Sequence, residues 1–338
     1  MGILIAIFIF VILIVSHELG HYLLAKANGI YVYEFSLGLG PKVFGFKRKE
    51  TEYTLRALPI GGACMMMGED EDSADPRAFN RKKVWQRMLV VAGGPLMNFV
   101  AAIIIFIIVF MMMGMPSSSN IVGSTVPGQA AQVAGMKEND AIVEINGQKT
   151  ETWNDIVTVI QEQPPGEVLN VVVLRDGQHL PLKIKPYHDE ASDRWMVGIS
   201  PLMETRGLGE SIALGFRQSY ELTKLLLLTL IKMVSGQMPL DVAGPVGVVT
   251  IVGQAASTGW QNLLILTGFL SINLGVINLL PIPALDGSRL VFLAVEGIRR
   301  KPIKREREGM IHFIGFALLI GLMVIITYRD VLRLIEGG

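Results

Sequence analysis

The chain has 338 residues, of which 51% are hydrophobic and 18% are charged, and its 30 basic and 30 acidic side chains cancel. The charge balance does not favour a nucleic-acid partner, which would need a basic surface, and a single cysteine excludes an internal disulfide. The hydrophobic share is high for a soluble domain and its residues are clustered, so we expect a protein embedded in the lipid bilayer.

Four apolar segments approach the length of about 20 residues that a helix needs to cross hydrocarbon. We predict transmembrane helices at residues 1–26, 89–115, 260–296 and 310–328. The third is expected to be broken, because Pro281 and Pro283 interrupt a helical backbone. A further apolar stretch, residues 208–236, is divided by charged side chains and is predicted to lie on the membrane surface as an amphipathic helix.

Basic residues are concentrated in two of the connecting loops. Eleven fall in residues 26–87 and six in residues 299–307, whereas residues 116–260 hold ten against fifteen acids. Loops rich in Lys and Arg stay in the cytoplasm. The sequence therefore predicts a multi-pass membrane protein whose termini and long loop lie outside the cytoplasm.

The first basic loop, residues 27–88, contains a predicted β-hairpin at residues 52–68. Apolar residues alternate on both sides of a Pro-Ile-Gly-Gly turn at residues 59–62. Among the alternating residues are Tyr53, Leu55, Met65 and Met67.

The long loop holds a predicted soluble domain at residues 117–200. Short β-rich runs are separated by Asn146-Gly147 and Asp176-Gly177, dipeptides that form tight hairpin turns. A helix is predicted near residues 154–161. These elements indicate an α+β domain of about 80 residues, which is enough for a small core of its own.

The sequence His17-Glu18-Leu19-Gly20-His21 in the first span carries the clearest chemical signal. Histidines four residues apart share a helical face, so that both imidazoles reach one metal ion. Two histidines and a glutamate inside an apolar helix cost several kcal/mol without partners, and one metal ion serves all three. We therefore predict that His17 and His21 bind Zn²⁺. Glu18 is the general base for a water whose pKa zinc lowers to about 7.

A catalytic zinc ion usually has a third protein ligand. His179 and His188 fall in the outer domain, and His312, which opens the fourth span, stays an alternative. Asp286 is the better candidate because it follows two prolines, and irregular backbone at membrane depth is tolerated only beside protein or water. His17 and Asp286 each precede a basic loop by a similar length of chain, which places the site near the cytoplasmic side. A helix-capping role is the other interpretation of Asp286.

The HELGH motif of the first span and the NLLPIPALDG motif at residues 278–287 resemble the site-2 protease family of intramembrane zinc metalloproteases. In the outer domain, Ala134-Gly135-Met136, Asp140 and Asn146-Gly147 resemble a PDZ domain. The combination is similar to the bacterial regulator-of-sigma-E type with one PDZ domain. This resemblance implies an α-helical polytopic membrane protein with about four transmembrane helices, a membrane re-entrant β-hairpin and an inserted α+β PDZ-like domain.

The resemblance also implies roles for single residues. The family's zinc ligands match His17, His21 and Asp286, and its general base matches Glu18. Residues implied to contact substrate are Asn273, Asn278, Tyr53, Leu55, Met65, Met67, Gly38 and Gly40. A further family motif matches residues 244–247. Ser288 stands where the family often has a second glycine, which leaves the ligand itself unchanged.

The implied activity is regulated intramembrane proteolysis: peptide bonds in single-span membrane proteins, such as anti-sigma factors or signal-peptide remnants, are cut after an earlier trimming step. A substrate helix must unwind to expose a carbonyl, and the hairpin is expected to accept the unwound segment as an added strand. The amides of Asn273 and Asn278 are expected to replace its lost hydrogen bonds. Helix–helix hydrogen bonding is the other interpretation of these two asparagines.

Two alternatives belong to other functional classes. A non-catalytic PDZ-bearing scaffold would bind peptides without needing Glu18 between two histidines. A zinc transporter would usually show paired broken helices or internal symmetry, whereas the sequence shows one broken segment and no repeat. In the leading interpretation, the PDZ-like domain binds peptide C-termini or excludes bulky substrates.

Overall fold

The structure is a computed structural model that describes residues 2–69, 71–162, 166–189, 193–205, 207–239, 243–303 and 305–336. Its elements in chain order are α1 (Gly2–Ala27), β1 (Val32–Arg48), β2 (Thr51–Met66), α2 (Val84–Met113), β3 (Met115–Pro116), β4 (Val122–Thr125), α3 (Ala130–Val133), β5 (Ala141–Ile145), β6 (Gln148–Lys149), α4 (Trp153–Glu162), β7 (Leu169–Arg175), β8 (Gln178–Ile184), β9 (Tyr187–Asp189), β10 (Arg194–Met196), β11 (Ile199–Pro201), β12 (Met203–Glu204), α5 (Leu208–Val234), α6 (Pro245–Thr258), α7 (Trp260–Leu279), α8 (Asp286–Arg299) and α9 (Arg305–Glu336). The chain divides into two compact units, Met1–Val109 with Ser211–Gly338, and Phe110–Glu210.

Four helices of the first unit are long and apolar enough to cross a membrane. Among the described residues these are Gly2–Ala27, Val84–Met113, Trp260–Leu279 and Glu306–Arg333. Many of their apolar side chains are exposed, including Phe8, Ile104 and Phe313, and lipid is the solvent that such side chains require. The predicted polytopic α-helical class is therefore confirmed. Between α7 and α8 the chain leaves the helical conformation at residues 280–285.

Strands β1 and β2 pair with each other, and both bend, so that the two strands form four segments of one sheet. Across the sheet the order is segment A (residues 42–48), segment B (51–58), segment C (32–39) and segment D (62–66). Segment B is paired on both sides, with Tyr53 opposite both Phe46 of A and Phe35 of C. Among the described residues, segment D pairs with C alone, with Ala63 opposite Ser36, so its other edge is open.

The hairpin predicted at residues 52–68 is therefore wrong in its pairing. Its two arms are segments B and D, and segment C lies between them. Apolar alternation indicates strands but not their partners, and the missing partner lies upstream of the predicted hairpin. The chain reverses direction between segments B and D, where Gly61 has φ 79°, and it also turns at Lys49, with φ 56°, and at Gly38 and Gly40, with φ 88° and 87°. A Cβ on Gly38 would stand 2.4 Å from the carbonyl oxygen of Leu58, so this corner needs glycine.

Helices α1 and α2 cross at glycines. A Cβ added at Gly20 would lie 2.0 Å from the carbonyl oxygen of Gly93, and one added at Gly93 would lie 2.7 Å from the carbonyl oxygen of Gly20. Small residues at a crossing let two backbones approach closely in a membrane. The crossing brings the backbone of α2 to the face of α1 that carries the histidines.

Helix α6 was not predicted as an element, although its first residues were singled out by the motif at 244–247. Its N-terminus is bound by α9, since Asp330 Oδ2 accepts a hydrogen bond from the Gly247 amide at 2.7 Å. A carboxylate is favourable at a helix N-terminus, where amide groups lack partners. A Cβ at Gly244 would stand 2.8 Å from Asp330 Oδ2. The glycines of this motif thus make room for the cap.

Helix α5 corresponds to the predicted amphipathic helix. Its small residues Ser211, Gly215 and Ser219 are buried, and a Cβ at Gly215 would lie 2.6 Å from Ile107 Cγ1 of α2. Phe216 is exposed on the same helix. In the described residues α5 is not among the helices apolar enough to span a membrane. Its position on the membrane surface stays a prediction.

The second unit is an α+β domain. A four-stranded antiparallel sheet of order β6-β5-β7-β8 encloses a core with α3 and α4. Buried side chains of this core include Ile142, Ile156, Leu169, Val173 and Ile184. The α+β class predicted for the long loop is confirmed.

One ion pair of the second unit involves a fully buried carboxylate. Asp140 accepts hydrogen bonds from Arg175 Nε and Nη2 at 2.7 Å and from the Lys137 amide at 2.8 Å. Burial raises the pKa of this carboxyl, but the hydrogen bonds from Arg175 and Lys137 outweigh burial and hold the pKa below its ordinary value. The pair joins the loop after α3 to the end of β7.

Candidate metal centre and active site

The three residues of the HELGH motif that carry chemistry lie on α1. The Nε2 atoms of His17 and His21 are 3.2 Å apart, as expected for residues one turn apart on a helix. Their side chains are only 15% and 12% exposed. The pair is therefore enclosed within the first unit at the level of the α1–α2 crossing.

Asp286, the first residue of α8, meets both histidines. Its Oδ2 atom lies 3.1 Å from His17 Nε2 and 3.4 Å from His21 Nε2. The three residues form a group able to hold a metal ion, with ligand atoms all within 4.8 Å of one another. The structure thus brings together the three residues predicted as ligands, although they are separated by more than 260 positions of sequence.

The second nitrogen of each imidazole is also engaged. His21 Nδ1 lies 2.9 Å from the carbonyl oxygen of Val90, which can only accept, so Nδ1 carries the proton. His17 Nδ1 lies 3.3 Å from the side-chain amide of Asn98. Rotation of that amide by half a turn exchanges its oxygen and nitrogen and provides an acceptor for a proton on His17 Nδ1. Such partners orient metal-binding histidines.

Asn98 was missed by the sequence interpretation. It is fully buried within α2, its Oδ1 atom has no hydrogen-bond partner among the described residues, and its backbone carbonyl accepts a hydrogen bond from the Ser271 hydroxyl at 2.7 Å. An amide inside an apolar span is a signal that a sequence can show, because such a group is costly without a partner. The sequence does not show that the partner of this amide is His17.

The donor atoms fit a divalent cation. With protons on both Nδ1 atoms, His17 and His21 direct Nε2 lone pairs toward Asp286 Oδ2. That carboxylate oxygen is buried and has no hydrogen-bond donor in the described part of the chain. Lone pairs that converge in this way repel one another unless a cation lies between them. Two imidazoles and one carboxylate form a ligand set typical of catalytic zinc.

The two residues after Asp286, Gly287 and Ser288, suit the tight turn between α7 and α8. A Cβ at Gly287 would stand 2.1 Å from the carbonyl oxygen of Leu280, so α8 can begin this close to the end of α7 only with glycine there. Ser288, which departs from the family pattern, is buried and donates its hydroxyl to the carbonyl oxygen of Leu285 at 2.8 Å. The serine therefore supports the same turn.

Segment D of the sheet passes beside Glu18. A Cβ at Gly62 would lie 2.7 Å from Glu18 Cγ and 3.0 Å from Ile14 Cγ2, both on α1. The sheet is also tied to α1 by a hydrogen bond of 2.7 Å between the hydroxyls of Tyr22 and Tyr53. Segment D, the edge strand of the sheet, therefore lies beside the candidate base.

Three of the residues predicted to contact substrate do not lie on an open edge of the sheet, and their contact with substrate stays a prediction. The backbones of Tyr53 and Leu55 lie in segment B, which is paired on both sides, so they cannot accept an added strand. Met67 is also engaged, because its amide donates to the carbonyl oxygen of Tyr31 and its own carbonyl accepts from the Phe79 amide. Met65 lies in the open segment D.

The remaining predicted contacts are placed as follows. Asn273 and Asn278 are half-buried on α7, and neither side-chain amide has a hydrogen bond within the described residues. Helix–helix hydrogen bonding, the other interpretation of these asparagines, therefore finds no support in that part of the chain. Gly38 and Gly40 form the corner between segments C and A. His312 is not in the ligand group and instead accepts the Ala284 amide.

Known proteins resemble this chain over nearly its whole length. The profile of peptidase family M50 matches residues 5–322. The regulator of sigma-W protease RasP of Bacillus subtilis is 35% identical, with 97% of this chain and 97% of that protein covered. A putative zinc metalloprotease of Clostridium perfringens is 41% identical, with 98% and 99% covered.

The PDZ domain of an SdrC-like protein from Listeria monocytogenes is 16% identical over 26% of this chain and 92% of that domain, with a TM-score of 0.23.

Two histidines and an aspartate able to hold a metal ion, beside a glutamate on an apolar helix and in a chain with this family match, define a membrane-embedded metalloprotease. The chain belongs to peptidase family M50, and the resemblance to site-2 proteases is confirmed. It is a multi-pass bacterial membrane protein.

Proposed function

We propose that this protein is an intramembrane zinc endopeptidase that hydrolyses peptide bonds in the transmembrane segments of single-span membrane proteins. The observation that carries the proposal is the convergence of His17 Nε2, His21 Nε2 and Asp286 Oδ2 beside Glu18. This group lies on α1, a helix apolar enough to span the bilayer. A water-consuming site at that depth serves a substrate that is itself in the membrane.

His17, His21 and Asp286 would hold one Zn²⁺, the metal in the name of the Clostridium perfringens relative. When bound, zinc polarises the scissile carbonyl and lowers the pKa of a water to about 7. Glu18 is not a ligand, so its carboxylate is available to take a proton from the attacking water. The water oxygen first bonds to the carbonyl carbon. Glu18 then gives the proton to the leaving amine, and the C–N bond breaks as the carbonyl double bond reforms.

Substrate binding is proposed at the open edge of segment D. An unwound substrate segment that pairs with this edge gains main-chain hydrogen bonds, and the strand position next to Gly62 brings its carbonyl toward Glu18. Met65 contributes a side chain to the same edge. The free amides of Asn273 and Asn278 are proposed to bind further backbone groups of the unwound segment.

Substrate choice and topology are proposed from the charge pattern and the relatives. The name of the Bacillus subtilis relative refers to regulation of sigma-W, which supports single-span anti-sigma factors, trimmed beforehand, as one substrate class, with signal-peptide remnants as another. The second unit is proposed to be a PDZ-like domain outside the cytoplasm that binds peptide C-termini or excludes substrates with bulky outer parts. The metal site would then lie near the cytoplasmic side of the inner membrane.

The proposed activity is tested by two substitutions in the purified full chain in detergent. Glu18→Gln should leave about one zinc per chain and lower cleavage of a trimmed single-span substrate by about 10²- to 10⁴-fold, the usual contribution of a general base. Asp286→Ala should lose both zinc and cleavage, because a ligand is removed. Wild-type turnover by Glu18→Gln would contradict the assignment of the base, and full zinc content in Asp286→Ala would contradict the ligand set.

The proposed filter is tested separately. Replacing residues 121–186 by a short flexible bridge should leave zinc content unchanged, because the ligands lie in the first unit. The deletion should admit substrates that retain a bulky outer domain. Equal rejection of those substrates by the intact and the shortened chain would rule out the filter.

A further inference from the structure

The loop that carries Asp286 has a strained backbone. Pro281 and Pro283 have no amide hydrogen with which to anchor it. Ala284 has φ 75°, in the left-handed region that residues with a Cβ seldom adopt. A conformation of this kind persists only where the surrounding structure determines it. Within the loop, the Leu285 amide closes the turn on the carbonyl oxygen of Ile282 at 3.1 Å, and the Ala284 amide is left to bond a group outside the loop.

His312 of α9 provides that group. The Ala284 amide donates a hydrogen bond of 3.0 Å to His312 Nδ1. Asp286 follows two residues later in the chain, so a fixed peptide at Ala284 constrains the direction in which α8 begins. Because Nδ1 accepts this bond, the proton of the neutral ring lies on Nε2. Glu308 Oε1, 3.9 Å from that Nε2, favours the same tautomer.

Two further contacts hold the loop and the ring together. Gly315 follows His312 on the same face of α9, and a Cβ on it would stand 2.2 Å from Pro283 Cβ and 2.8 Å from the Pro283 carbonyl oxygen. The ring of Phe292 on α8 packs edge-to-face on the imidazole, with centroids 5.7 Å apart and planes at 76°. Helix α9 therefore contacts the loop by one hydrogen bond and one close approach, and α8 orients the ring.

We propose that His312 is a positioning residue of the metal centre. It holds the Ala284 amide so that Asp286 Oδ2 stays within 3.1 Å of His17 Nε2 and 3.4 Å of His21 Nε2. His312 does not bind the metal itself, which replaces its interpretation as an alternative ligand. This role rests on the proposed zinc site.

Three substitutions separate positioning from packing. Asparagine places a side-chain oxygen where Nδ1 stands, glutamine reaches only the place of Nε2, and alanine removes both. We expect His312→Ala and His312→Gln to weaken zinc binding about 10- to 100-fold, as loss of a group behind a ligand usually does. His312→Asn should stay close to the wild-type affinity. Chelator competition on the purified full chain in detergent measures this affinity directly and needs no activity.

Hydrogen exchange of residues 280–288 in the zinc-free chain gives the second readout. Exchange should be faster than in the wild type for His312→Ala and His312→Gln and unchanged for His312→Asn. The matched control is Gly309→Ala, one turn earlier on α9, where an added Cβ meets open space. This control should alter neither readout.

The outcomes are distinguishable. The proposal is overturned if His312→Asn is as defective as His312→Ala in both measurements, or if His312→Ala binds zinc like the wild type. If the wild-type chain binds no zinc, the proposed metal site fails and this role fails with it. If only the positioning role of His312 is wrong, the wild-type chain still binds zinc, and hydrogen exchange of residues 280–288 does not change when His312 is substituted.

Discussion

Gly94 of α2 lies directly against the ligand atom of His21 on α1. A Cβ built on Gly94 would stand 2.3 Å from His21 Nε2 and 2.7 Å from His17 Nε2. Its neighbour Gly93 makes the close backbone approach to Gly20. The same pair of glycines therefore allows both the close helix crossing and the close approach of α2 to the two imidazoles.

Gly94→Ala should remove bound zinc and cleavage together. Its methyl group would occupy the position where the two imidazoles meet, and the helix backbone that bears it cannot move freely at a close crossing. Zinc content by elemental analysis and turnover of a trimmed substrate are the measurements. Gly321→Ala in α9 is the control, since an added Cβ there meets nothing within 4 Å. Full zinc content in Gly94→Ala would contradict the geometry of the site.

Gly62→Ala should impair catalysis without removing zinc. The added methyl would press on Glu18 Cγ at 2.7 Å and displace the base, and a misplacement of this size costs on the order of 10²-fold in rate. Because the effect acts through Glu18, it should largely vanish in the Glu18→Gln background. Equal losses in both backgrounds would show that Gly62 acts independently of the base.

Proline scanning should distinguish the two edges of the sheet. In segment D, a proline whose missing amide faces the open edge should lower kcat/KM without lowering thermal stability, because only the added substrate strand loses a partner. A proline facing segment C should lower both. The same scan in segment A, the opposite edge, is the control and should not change kcat/KM selectively. Insensitivity of every position in segment D would exclude strand addition there.

The Asp140–Arg175 pair should make the stability of the second unit fall in acid. In the folded state the pKa of Asp140 is held below 3.8, the ordinary value of an aspartate. Its contribution is therefore fully present above about pH 4 and is lost as the pH falls through the folded pKa. Asp140→Asn should cost about 1.5–3 kcal/mol at neutral pH and remove this acid dependence.

Hydrogen exchange of β5 and β7 in the full chain, corrected for intrinsic rates, measures that dependence. The first unit contains no part of this pair, so exchange in α1 serves as the internal reference. An unchanged pH profile in Asp140→Asn would show that another carboxyl controls the acid response of the second unit.

Local sequence determined much of this protein. The length and apolarity of the spans, the prolines at 281 and 283, and the spacing of His17 and His21 each depend on near neighbours along one helix or loop. Helical periodicity places two histidines on one face whatever surrounds them. These features, with the α+β pattern of the long loop, were therefore predictable, and so was Asp286 once the family motif was seen.

Tertiary structure alone decided the rest. Segment C, not segment D, pairs with segment B, because alternation marks strands without naming their partners. Asn98 reaches His17, and His312 reaches Ala284, across 81 and 28 positions of sequence. Gly94 and Gly62 have no side chain, and this leaves space for the imidazoles of His17 and His21 and for Glu18. Contacts between distant segments depend on how helices and strands pack in three dimensions, and no local pattern in the chain shows which distant residues will meet.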